Sequence, residues 1–160
     1  IIGQTGYIAG GTEYNPIIFK TTNGGTNWES QSVVGTYHLH SVFMTGSETA
    51  HAVSDAGKII RTTNGGINWT VQTINPNTYS LHQVFFTNAN TGFIVGTYTM
   101  HAGAGILLRT DNGGISWSIL NYSEWRSINF INSDCVIFFN QVEVVSISTL
   151  VLSFLIFRFA

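Results

Sequence analysis

Apolar residues in this chain fall in short runs bounded by glycine, asparagine, threonine and serine, and the runs repeat. Ser41-Val-Phe-Met-Thr45, Gln83-Val-Phe-Phe-Thr87 and Ser127-Ile-Asn-Phe-Ile131 each predict a strand. A strand of small residues comes next in the cycle: Thr5-Gly-Tyr-Ile-Ala-Gly10, Thr49-Ala-His-Ala-Val53 and Thr91-Gly-Phe-Ile-Val-Gly96. A third follows at Ile17-Ile-Phe-Lys20, Lys58-Ile-Ile-Arg61 and Ile106-Leu-Leu-Arg109, and a fourth starts at Trp28, Trp69 and Trp117. No stretch carries the 3.6-residue period of an amphipathic helix, so the chain predicts an all-β array with four strands per period.

Between the third and fourth strands lies one nonamer in three copies. They read Lys20-Thr-Thr-Asn-Gly-Gly-Thr-Asn-Trp28, Arg61-Thr-Thr-Asn-Gly-Gly-Ile-Asn-Trp69 and Arg109-Thr-Asp-Asn-Gly-Gly-Ile-Ser-Trp117. Their tryptophans are 41 and 48 residues apart, the spacing of one four-stranded propeller blade per repeat. Asn-Gly-Gly between strands marks a hairpin, because glycine reaches positive φ without a Cβ clash. Asn23, Asn64 and Asn112 can accept backbone N–H groups inside the turn. Thr21, Thr62 and Thr110 can add a hydroxyl bond, and the tryptophans can fold back over Gly25, Gly66 and Gly114. A structural role for these residues therefore comes before a surface-contact role.

The pattern Thr-x-Asn-Gly-Gly-x-(Asn/Ser)-Trp resembles the Asp-box, or bacterial neuraminidase repeat, with Asn where that family usually has Asp. The longer pattern is similar to the repeats of photosystem II stability and assembly factor-like propellers, over roughly residues 5 to 135. The resemblance implies a partial β-propeller of about three to four four-stranded antiparallel blades. It also implies outer hairpins for the nonamers, away from the axis. It does not fix a function, since Asp-box blades also occur in sialidases, xyloglucan-active hydrolases and sortilin-type receptors.

The expected blades span about 1–35, lacking its innermost strand, then 36–78, 79–122 and 123–139, the last only begun. Fuller rings in the family make a piece of a longer protein the expectation. Residues 140–160 depart from the pattern and form an apolar tail. Three readings fit it, in this order: a non-native tail after a frame change near residue 135, strands around Val142 and Val144 that complete the last blade, and a membrane anchor over 144–157. That last stretch is short for a bilayer span.

Composition narrows the function. Charged residues are 9% of the 160, and the formal net charge of −2 gives no reason to expect nucleic acid. Hydrophobic residues at 44% exclude a disordered chain. Cys135 stands alone, which excludes an intrachain disulfide and a cysteine-based zinc site. Low lysine with high threonine and asparagine points to an exported protein: periplasmic, cell-surface or secreted.

Two sets of recurring residues are candidates for partner binding. His40, His82 and Arg126 align just before Val42, Val84 and Ile128, at the start of the innermost strands near the channel mouth. They suggest an anion- or partner-binding rim, set against a solvated channel end. A metal site on His40 and His82 is not expected, because no third histidine or carboxylate recurs beside them. Lys20, Arg61 and Arg109 precede each nonamer; they suggest a charged row, set against stems that lie over neighbouring strands and bond loop carbonyls. The acids do not pair into a glycosidase site. Asp55 falls in an Asp-Ala-Gly-Lys turn and Asp111 in a nonamer, and no Arg-Ile-Pro segment, P-loop or Gly-x-Ser-x-Gly is present. The expectation is a binding or scaffolding propeller with no catalytic residue and no cofactor, taking a protein or glycan partner. The alternative is a piece of an Asp-box glycoside hydrolase with its catalytic residues on blades outside this sequence.

Overall fold

The computed structural model describes residues 1–12, 15–33, 37–74, 78–99, 105–123, 125–132, 135–140 and 157–158. Within each sheet, strands adjacent in sequence pair antiparallel. The first sheet is β1 (Gly6–Thr12), β2 (Asn15–Thr21) and β3 (Glu29–Gln31), in that order. The second is β4 (Leu39–Met44), β5 (Ala50–Ser54), β6 (Lys58–Thr62) and β7 (Thr70–Thr73). The third is β8 (Tyr79–Phe86), β9 (Gly92–Tyr98), β10 (Gly105–Thr110) and β11 (Ser118–Ser123). The fourth holds β12 (Trp125–Asn132), β13 (Cys135–Asn140) and β14 (Phe157–Arg158).

Successive sheets meet chiefly through their first strands: β1 lies against β4, β4 and β5 against β8, and β8 and β9 against β12. The described residues are all-β, and this stacking of three- and four-stranded meanders is that of a partial β-propeller. The packing explains the small-residue strands. β5 is buried along its whole length because it has a sheet on each face, and Ala50, Ala52 and Val53 leave room for both. Two cores result. Tyr7, Ile18, Leu39, Ala50, Ala52 and Ile60 join the first sheet to the second, with Trp69 packed against them. Val53 and Ile59 join Tyr79, Leu81, Val84, Phe86, Ile94, Ile106 and Leu108 between the second and third.

β4, β8 and β12 share an irregularity. Pairing skips one residue between Leu39 and Ser41, between Leu81 and Gln83, and between Trp125 and Ser127. The skipped residues are His40, His82 and Arg126. Each is the extra residue of a β-bulge, which bends the strand. In β8 the burial alternation changes phase here: Tyr79 and Leu81 are buried before the bulge, Val84 and Phe86 after it.

The departure of the sequence from the repeat after Asn132 does not stop strand pairing. Residues 135–140 form β13 beside β12, and Phe157–Arg158 pairs with Cys135 and Val136. Residues 141–156 and 159–160 lie outside the described residues, and with them most of the tail on which the three readings bear. Among the described residues no helix is long and apolar enough to cross a membrane.

Candidate functional site

The nonamers form the turns β2–β3, β6–β7 and β10–β11, and their bonding repeats atom for atom. Thr21 Oγ1 donates to Asn23 Oδ1 at 2.9 Å and accepts the Gly25 amide at 2.9 Å. Asn23 Oδ1 also accepts the Asn27 amide at 2.9 Å. Thr62 with Asn64, and Thr110 with Asn112, make the same bonds to Gly66 and Asn68 and to Gly114 and Ser116. Each turn is also docked on its own sheet: the amides of Gly24, Gly65 and Gly113 donate to the carbonyls of Gln4, Glu48 and Asn90 at 2.8–2.9 Å. The indole of Trp28 lies over Gly25, 3.6 Å from where a Cβ would stand. Thr21, Thr62 and Thr110 are buried, so these side chains face the protein's own backbone.

Contacts between blades run through the same turns, and the sequence reading missed one of their donors. Gln72, on outer strand β7, donates through Nε2 to the carbonyls of Gly114 at 3.1 Å and Ile115 at 2.9 Å in the next blade. Gln31 holds the matching place on β3, and its Oε1 blocks the space a Cβ on Gly66 would need. Both stand three residues after a nonamer tryptophan. Leu120 takes that position in the third copy.

Lys20, Arg61 and Arg109 are the cross-strand partners of Tyr7, His51 and Phe93. Lys20 Nζ donates to the Gly65 carbonyl at 2.7 Å, linking the first two blades. Arg109 stands 5.9 Å over the Phe93 ring and pairs with Asp111 at 2.7 Å. Arg61 has its Nε buried, beside buried His51. Each of the three cations thus lies beside the aromatic position of its own sheet.

The bulge residues gather at the opposite end of the blades from the nonamer turns. His40 and His82, on adjacent sheets, meet edge to face with ring centroids 5.5 Å apart, and His38 lies 4.6 Å from His40. His40 Nε2 contacts Asp55 Oδ1 at 2.9 Å, with the two side chains 24% and 36% exposed. Ser80, from the next blade, donates its hydroxyl to the same carboxylate oxygen, and His82 Nε2 contacts Thr97 Oγ1 at 3.0 Å. By register Arg126 takes the same place on β12.

Asp55 is presented by a tight turn. Ala56 and Gly57 both have positive φ, at 55° and 64°, the pair of values a type I′ hairpin requires. The turn is fixed at both sides, since the Gly57 amide donates to the Tyr79 carbonyl at 2.7 Å and the Ile74 amide to the Gly57 carbonyl at 2.8 Å. Burial acts to raise the Asp55 pKa. Hydrogen bonds from Ser80 and His40, and the charges of His40 and His82, outweigh it and hold the carboxyl below the ordinary aspartate value. His38, His40 and Asp55 bring their ligand atoms within 4.8 Å of one another, a local group rather than one that recurs from blade to blade. Recurrence does not mark this group, because Asp55 has no counterpart in the other repeats.

No protein-family model matches the chain, and no curated protein matches it. Among solved structures it is similar to YCF48 bound to D1 peptide, at 17% identity and a TM-score of 0.61, over 88% of this chain and 49% of that one. It is similar to the GH74 enzyme of Niastella koreensis, at 17% identity and a TM-score of 0.65, over 84% of this chain and 23% of that one. It is also similar to an ancestral GH74 enzyme, at 21% identity and a TM-score of 0.67, over 84% of this chain and 20% of that one. The chain therefore spans about half the length of the first and about a fifth to a quarter of the other two. These likenesses show the fold: the chain is built like part of a β-propeller.

Proposed function

We propose that the chain is part of a non-catalytic propeller of the assembly-factor type, exported from the cell, that binds a protein segment at the rim marked by His40, His82 and Arg126. The observation that carries this reading is the bulge common to β4, β8 and β12, which sets His40, His82 and Arg126 at one register position in three successive blades. A row of this kind supplies hydrogen-bond donors at a strand's end, the chemistry that takes acidic side chains or a terminal carboxylate. One structural neighbour has a bound peptide, which fits a propeller of this build acting as a peptide receptor. The nonamers serve as Asp-box turns that close each blade.

The described carboxylates support a binding role over hydrolysis. Asp55 is engaged by His40 and Ser80, and Asp111 by Arg109. Glu48 sits at the opposite end of β5 from Asp55, and Glu29 opens an outer strand. The second reading, a piece of a glycoside hydrolase, is favoured by the two GH74 neighbours. Selection of displayed peptides on the immobilised chain, run beside a xyloglucan hydrolysis assay, separates the two. The expected result is acidic peptides whose affinity falls at least about tenfold for the variant His40→Ala/His82→Ala/Arg126→Ala, with no sugar released. Equal binding by that variant, or sugar release by the chain, overturns the reading.

A further inference from the structure

We propose that His38, His40 and Asp55 form a site for one divalent transition-metal ion of the zinc class at the propeller rim. Two imidazole nitrogens and one carboxylate oxygen are a donor set that zinc accepts, with a further position left for water or a partner's side chain. The ligand atoms all lie within 4.8 Å of one another. A tetrahedral ion with bonds of about 2.0–2.2 Å sets its donors roughly 3.4 Å apart, so 2.9 Å between His40 Nε2 and Asp55 Oδ1 needs only a small opening.

The arrangement has features of a built site. His38 and His40 flank Leu39, which is 1% exposed, so the two imidazoles share the outward side of the chain while Leu39 anchors the segment in the core. The bulge turns His40 toward the β5–β6 turn. That turn is fixed to Tyr79 and Ile74, so Asp55 is delivered by rigid backbone. Ser80, on the adjacent blade, donates to the carboxylate and orients it, the part that outer-shell donors play at metal centres. His82 stands against His40 from the same blade as Ser80, which places the ion at the junction of two blades. Binding there would tie the start of β4 to the β5–β6 turn of the same blade. The inference rests on this geometry alone and stands whether or not the rim takes a protein segment.

The test is titration of the full 160-residue chain with zinc by calorimetry, with cobalt(II) as a spectroscopic substitute. The expected result is saturation at one equivalent, a melting temperature that rises with zinc, and visible cobalt bands of a low-coordinate nitrogen and oxygen site. His38→Ala and Asp55→Ala should each weaken binding by at least about tenfold while far-ultraviolet circular dichroism stays unchanged. Equal zinc affinity for the unmodified chain and a folded His38→Ala/His40→Ala variant would overturn the proposal. So would a cobalt spectrum indistinguishable from the aquo ion. The cobalt spectrum is read on the unmodified chain, so a variant that fails to fold does not leave the question open.

Discussion

His51 lies directly against Gly114: a Cβ at residue 114 would stand 2.8 Å from the imidazole Cε1. His51 belongs to the second blade and Gly114 to the turn of the third, so an imidazole and a bare glycine form part of the blade interface. The ring stacks on Phe86 at 4.2 Å and is fully buried, with Nδ1 unpartnered. Tyr7 and Phe93 hold the equivalent position in the other two repeats. His51 fills an aromatic's place.

Burial, with Arg61 nearby, lowers the His51 pKa from 6.5 to about 3. The folded protein keeps the ring neutral, whereas the unfolded chain takes up a proton below pH 6.5. Stability is therefore full above that pH and falls as the pH drops toward 3, by an amount on the order of a few kcal/mol. The lowered pKa of Asp55 acts in the same direction, but only below the ordinary aspartate value of 3.8. His51→Phe should remove most of the loss between pH 6.5 and about 4. Urea unfolding across that range checks it, and an unchanged slope in the variant refutes it.

Alanine at residue 114 should cost more than alanine at residue 113. Both glycines have positive φ, at 67° and 76°. Only Gly114 faces His51, while a Cβ at 113 meets nothing nearer than the Ala89 carbonyl at 3.1 Å. Gly113→Ala should lose roughly 1 kcal/mol to backbone strain and Gly114→Ala about 2 kcal/mol or more. Paired thermal melts give the comparison.

Thr62 anchors the middle nonamer turn. Its buried hydroxyl accepts the Gly66 amide at 2.9 Å and donates to Asn64 at 3.0 Å. Thr62→Ala leaves a buried amide without its partner and should destabilise by about 2 kcal/mol, whereas Thr62→Ser keeps the bonds and should lose less than half of that. Denaturant midpoints for the two variants decide it.

Gln72 couples the second and third blades. Gln72→Ala should lower stability by about 1 kcal/mol and speed amide exchange in the β10–β11 hairpin more than in β1–β2. Uniform exchange along the chain would show that the contact carries no coupling.

The blades were legible because each repeat carries its own signals: Asn-Gly-Gly for the outer hairpin, and small residues for the strand packed on both faces. Thr21, Thr62 and Thr110 could be placed in their turns for the same reason. Gln31 and Gln72 were readable as Trp-x-x-Gln, but Leu120 breaks the pattern in the third copy. The bulges were hidden by their own regularity, since one extra residue in each of β4, β8 and β12 leaves the copies aligned with each other. Asp55 was hidden for the opposite reason. Its partners His40 and Ser80 are 15 and 25 residues away; the pairing of β4 with β5 brings the first to it, and the stacking of the next blade brings the second.

Stacking of successive blades about one axis is tested most directly by nuclear Overhauser spectroscopy of ring protons. The structure predicts cross-peaks between Tyr7 and Trp69, whose centroids are 5.7 Å apart, and between His40 and His82 at the other end, 5.5 Å apart. Absence of both, with the contacts inside each sheet retained, would mean hairpin sheets that do not stack as blades.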